Sequence, residues 1–154
     1  MRAVLLLAAF IVAVPDRPDP MPKEKGKPLL DQFQGEWELT KALRNGQPEN
    51  QVKVEGTIFI IKGNLIKIRE GGMDRSEDAN FTLDASKTPA ALDIVPVRGG
   101  GGKGKDIKVE GIVKIEGDTM ILCFPHGGGG SRPTEFVSPP NSNVSLLHFK
   151  RLKK

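Results

Sequence analysis

The chain has no tyrosine, one tryptophan and one cysteine in 154 residues, and aromatic side chains make up only 5% of it. So few rings give little from which to build a platform for stacking nucleic-acid bases. A single cysteine excludes an intramolecular disulfide. Cys123 lies in the apolar run TMILCF, where a thiol behaves as a small buried hydrophobe. Charge of one sign is also scarce. The net charge is +4, and the basic tail KRLKK reads as a solvated end, so no nucleic-acid partner is expected. The apolar run from Ala3 to Val14 is shorter than the roughly 20 residues that a membrane-spanning helix needs.

Glycine and proline, by contrast, are plentiful, at 18 and 12 residues. Many turns imply short strands. Charged residues at 27% and hydrophobic ones at 38% describe a globular chain of one domain. At the start, Arg2 followed by residues 3–14 has the pattern of a secretory signal peptide. Pro15 disfavours a cut after Val14 and no A-x-A motif precedes it, so an uncleaved N-terminal anchor is the alternative. Residues 15–28, PDRPDPMPKEKGKP through Pro28, read as an extended linker. The expected location is periplasmic or extracellular, with no stable membrane span after processing.

From Leu29 onward the periodicity changes. Leu29, Leu30 and Phe33 suggest a short helix that Gly35 ends. Period-two patterns follow, as half-buried strands require. WELTKAL places Trp37, Leu39 and Leu43 on one face. VEGTIFII turns through Gly63-Asn64 into LIKIRE. NFTLD and LDIVPV come next. In the segment that begins DIKVEG, Ile107, Val109, Val113 and Ile115 alternate with charged residues. Gly117-Asp118 then leads into TMILCF, apolar on both faces and so a central strand, and NVSLLHFKRL closes the chain. About eight short strands joined by hairpins predict an all-β, antiparallel, up-and-down barrel over residues 29–154. First and last strands are neighbours in such a barrel. Trp37 and Arg151 then share the inward face, and a cation–π contact worth about 0.5–2 kcal/mol is expected, with Gly35 allowing the sharp entry into the first strand.

The GEW start with a basic residue near the end resembles the lipocalin (calycin) pattern. LLDQFQGEWEL, FTLDASKTPAALDI, GIVKIEGDTMILCF and SRPTEFVS, in that order, are similar to a paralogous family of small exported lipocalin-like proteins common in planctomycetes. Val113 stands where that family often has tyrosine. The resemblance implies fold and export. It carries over no functional residues, and fold alone does not assign activity.

Candidate chemistry is thin. Gly99, Gly104 and Lys105 fit G-x-x-x-x-G-K, but Asp106 replaces the magnesium-binding Ser/Thr and a strand follows, not a helix. Cys123 and His126 have C-x-x-H spacing, but their parity on a strand sends them to opposite faces unless Pro125 breaks it, and His148 is the only other histidine. Arg132, Glu135 and Phe136 in RPTEF read as a structural ion pair pinning a loop, or as a group at the barrel mouth that orients a ligand. Asp93 lies between apolar neighbours and is expected to face solvent or cap a turn. NFT and NVS match glycosylation sequons, relevant only in a eukaryotic secretory pathway. No catalytic residue, metal site or cofactor is expected. Two functions follow: a carrier of a small apolar ligand inside the barrel, or a structural or interaction module that binds envelope proteins through its outside.

Overall fold

A computed structural model describes residues 28–50, 54–75, 78–97 and 107–153. The expected signal or anchor (1–14), the linker up to residue 27 and the glycine loop containing Gly99, Gly104, Lys105 and Asp106 lie outside the described residues.

The alternation of apolar and polar residues becomes a run of antiparallel strands preceded by one short helix. The elements are α1 (Leu29–Phe33), β1 (Gly35–Arg44), β2 (Gln47–Pro48), β3 (Thr57–Lys62), β4 (Leu65–Glu70), β5 (Met73–Asp74), β6 (Ala79–Asp84), β7 (Ala90–Pro96), β8 (Val109–Glu116), β9 (Thr119–Pro125), a 3-10 turn (His126–Gly128) and β10 (Val144–Arg151). Each long strand pairs with the next, and β10 returns to pair with β1, which closes an eight-stranded barrel. The two-residue strands β2 and β5 are appendages of β1 and β4. Closure removes the unpaired sheet edges that an open β-sheet presents.

One parity of every long strand faces inward. Trp37, Leu39, Ile61, Ile66, Phe81, Leu92, Val113, Met120, Leu122 and Phe149 all belong to a single buried cluster, joined by Phe33 from α1. Leu29, Leu83 and Ile115 pack against it, partly buried. Phe33 meets Phe81 edge-on, with ring centroids 4.9 Å apart, and Phe59 meets Phe149 at 4.8 Å. Such aromatic pairs stabilise by about 0.5–1.5 kcal/mol beyond the area they bury.

In one place the expected parity fails. Leu39 lies opposite Phe149 but Lys41 lies opposite His148, so Thr40 is an extra residue, a β-bulge. Its hydroxyl donates to the His148 carbonyl at 3.0 Å. Beyond the bulge the side chains swap faces. Ala42 joins the interior cluster, while Leu43, expected beside Trp37 and Leu39, packs in a second cluster on the outside.

That second cluster consists of Ile112, Cys123 and Leu146, with Leu43, Ile121, Phe136 and Val144 against it. It lies on the outer wall of β8, β9, β10 and β1, under the connection formed by residues 126–143. This explains why TMILCF is apolar on both faces: Met120 and Leu122 face the interior, and Cys123 faces the covering segment. The segment folds back on the wall as a strap. Its neck is pinned where His126 N donates to Asn143 O at 2.7 Å and Asn143 Nδ2 donates to His126 O at 2.9 Å. Its far side is held to the β1–β2 turn, where Gly46 N donates to Ser138 Oγ at 3.1 Å.

Candidate functional site

Among the described residues, polar and aromatic groups gather at the closed base, in a groove beside it, and on the outer wall around the strap.

At the base, α1 lies across the barrel end. Trp37 is completely buried, and its indole Nε1 donates to Phe33 O at 3.0 Å. Arg151, opposite Trp37 in the β1–β10 ladder, places Cζ 4.0 Å from the indole centroid. Its Nη1 and Nη2 donate to Gln34 O at 2.8 Å and Gln32 O at 2.6 Å. The guanidinium thus satisfies backbone carbonyls that the short helix leaves unpaired. Gly35 has a φ of 117°, which L side chains rarely adopt, and a Cβ there would stand 3.1 Å from Arg151 Nη1. Glycine is required both for the turn and for the approach of the guanidinium. These contacts make the base a structural closure, and Arg151 Nε also lies 3.8 Å from Asp118 Oδ1.

Beside the base, a groove of about 560 Å3 lies between α1, the β3–β4 turn and β6. Leu30, Phe81 and Leu83 supply its apolar lining, and Asp31, Asn64 and Thr82 its polar rim. Gln34 closes one side by bonding both ways to Gly63, as donor to its carbonyl at 3.0 Å and as acceptor from its N–H at 2.7 Å.

On the outer wall, Arg132 organises a charge cluster. Above Ile112, opposite Cys123, the β8–β9 ladder stops, and the carbonyl of Gly111 is left without a strand partner there. Arg132 Nη1 donates to that carbonyl at 2.6 Å. Its Nη2 donates to Asp93 Oδ1 at 2.6 Å and lies 3.6 Å from Glu110. Lys108 Nζ bridges Asp93 at 2.8 Å and Glu110 at 3.0 Å. Partial burial opposes ionisation of Asp93, but hydrogen bonds from Lys108 and Arg132 outweigh it and hold the carboxyl below its usual range. Lys108's own bonds, to Asp93 and then Glu110, raise its pKa. Gly111 has its own packing reason: a Cβ there would come within 2.8 Å of Cys123 O.

Arg132 does not pair with Glu135, the partner three residues away that the sequence suggests. Glu135 is exposed, and among the described residues no ion pair reaches it. Phe136 packs on the outer cluster with Ile112, Cys123 and Leu146. The three residues of RPTEF therefore sit along the outer wall and do not converge at the barrel mouth. Asp93 faces outward, as expected, but it is doubly bridged and does not simply face solvent. Short-range reading missed this network because Arg132 and Asp93 are 39 residues apart.

Next to Arg132 lies a second groove, of about 360 Å3. Its floor is a row of outward side chains across three strands: Asp84 opposite Ala91, and Ala91 opposite Ile112. Pro89 and Pro133 flank it. Asp84 Oδ1 accepts from Ser86 Oγ at 2.6 Å and Ser86 N at 3.0 Å, and these bonds lower its pKa.

Cys123 is buried, its Sγ 3.5 Å from Val137 O, and burial pushes the thiol up. His126 is exposed at the start of the strap. His148 lies on the outer wall near Lys41, and burial, then that neighbouring charge, push its pKa down. Among the described residues, no three His, Cys, Asp or Glu side chains gather as a metal site would require. Among them, too, no helix is long and apolar enough to cross a membrane. No protein-family model matches the chain, and no curated protein matches it.

Proposed function

We propose that the protein is an exported binding module of the cell envelope, a barrel whose interior is structural and whose recognition takes place on its outside. It acts by binding and not by catalysis. The observation that carries this reading is the continuity of the interior cluster. Phe33, Trp37, Leu92, Val113, Met120, Leu122 and Phe149 are each at most 2% exposed and come from the helix and five strands. An eight-stranded barrel is narrow enough for side chains alone to fill it. The outer wall, in contrast, carries a braced strap, a charge cluster and a groove. Export rests on the pattern of residues 1–14 and on the resemblance to exported lipocalin-like proteins.

A second reading is a carrier of a small apolar ligand. It is favoured by one observation: Phe81 and Leu83, which face inward on β6, also line the groove beside the base. A single experiment separates the two. The full-length protein is purified from its producing cells and examined by native mass spectrometry, then titrated with an environment-sensitive apolar dye. The module reading expects the bare polypeptide mass and no saturable dye signal. A retained apolar ligand, or saturable dye binding that a fatty acid displaces, supports the carrier and overturns the module.

A further inference from the structure

We propose that the groove beside Arg132 is a binding site for a short neutral saccharide. This rests on the reading that recognition lies on the outside of the barrel.

The fixed charges come first. Asp84, Lys87, Asp93 and Arg132 line the groove and sum to zero. A site without net charge gives no electrostatic preference to a polyanion or a polycation. The lining contains no aromatic side chain, which removes the stacking surface that a nucleobase or a flat cofactor would use. The backbone of the floor row is laddered, since Asp84, Ala91, Ile112 and Cys123 pair in succession across four strands, and the Gly111 carbonyl just beyond it is taken by Arg132. No strand edge is open for an extended peptide to join.

What remains unengaged is a mixture of donors and acceptors. The hydroxyls of Thr82, Thr88 and Thr134 have no protein partner among the described residues. Asp84 spends Oδ1 on Ser86, which leaves Oδ2 as an acceptor. Lys87 is near enough to favour the ionised Asp84, yet it makes no ion pair among the described residues. Arg132 uses one N–H of each terminal nitrogen on Gly111 and Asp93, which leaves Nε among its remaining donors. A sugar hydroxyl donates and accepts at once, so neighbouring hydroxyls can bridge a carboxylate and an ammonium with charge-assisted bonds. Pro89 and Pro133, over a floor closed by the buried Ala91 and Ile112, offer small aliphatic surfaces suited to the C–H face of a pyranose ring. The volume of about 360 Å3 falls at the lower end of the roughly 300–1,000 Å3 usual for small-molecule sites. Arg132 also fixes the strap wall in place before any ligand arrives, so little ordering is left for binding to impose.

The test uses the full chain on a glycan array holding neutral and acidic oligosaccharides. Titration calorimetry with maltose, cellobiose and N,N′-diacetylchitobiose follows. Saturable binding of at least one neutral glycan is expected, with acidic glycans no better. Ala91→Leu fills the floor from the outer face, and the Lys87→Met, Thr134→Val double variant removes two bonding groups from the rim. Each should weaken binding by about tenfold or more, the first by occupying the sugar's place and the second by loss of a charge-assisted hydrogen bond, with circular dichroism unchanged. If Ala91→Leu does not fold, the rim variant decides. Failure of every neutral glycan to bind, preference for acidic ones, or unchanged affinity in the folded variants overturns the site. None of these results touches the filled interior, which the apolar dye tests separately.

Discussion

Two seams of this barrel are built very differently. β1 and β10 pair from Trp37 opposite Arg151 to Arg44 opposite Ser145. Among the described residues, β4 and β6 pair only at Leu65 opposite Asn80 and Ile66 opposite Ala79. The closing seam joins strands from opposite ends of the domain, so its formation carries the larger loop-closure entropy. It receives the long ladder, the bulge at Thr40 and the Trp37–Arg151 base. β4 and β6 are close in sequence and are held together as part of the cylinder, so a short ladder suffices. Strength is placed where chain connectivity gives the least help.

The sharpest way to break this contrast is to remove the base. Trp37→Ala should cost about 3–5 kcal/mol of unfolding free energy in urea titration, as for other fully buried aromatics. A loss under about 1 kcal/mol would show that the closing seam does not depend on the indole. The weak seam can be strengthened in turn. Phe81 N donates to Asn64 O at 2.9 Å, so the adjoining pair Leu65–Asn80 is the non-hydrogen-bonded kind, with side chains close together. A disulfide in Leu65→Cys, Asn80→Cys should add about 3 kcal/mol for a loop of this length. The same bridge should slow amide exchange in β4 and β6, which in the unmodified protein should exchange before β1 and β10 do. Equal protection at both seams would remove the distinction.

Smaller effects refine the base. Gly35→Ala places a side chain at a φ of 117° and against Arg151, and should cost about 1–3 kcal/mol. Arg151→Met keeps the aliphatic stem but leaves the carbonyls of Gln32 and Gln34 without their donor, and should cost about 1–3 kcal/mol. Its thermal unfolding midpoint should fall accordingly. The smallest effect lies at His148, on the outside of the strong seam. The unfolded chain takes up this proton near 6.5, while the folded chain takes it up at lower pH. Stability is therefore present above 6.5 and lost as pH falls through the depressed folded value. His148→Gln should flatten the pH dependence of stability in that window; an unchanged slope would assign it to other groups.

Much of the architecture was legible in the alternation. Phe81, Leu83, Val113 and Ile115 face inward as their period-two spacing demands, and Trp37 and Arg151 meet because first and last strands are neighbours in a closed barrel. Leu43 was misread because a bulge changes parity, and nothing in the types Thr40 and Lys41 marks it. The partner of Arg132 was misread because the nearest acid in sequence, Glu135, is not the nearest in space.

Local pattern by itself determined the strands, their turns and which face of most strands is apolar, because side-chain alternation is a property of neighbouring residues. Only the tertiary structure decided the bulge, the strap over Ile112 and Cys123, and the groove beside Arg132. Each of these depends on which distant strands come to lie together, and pairing across long stretches of chain leaves no mark in local periodicity.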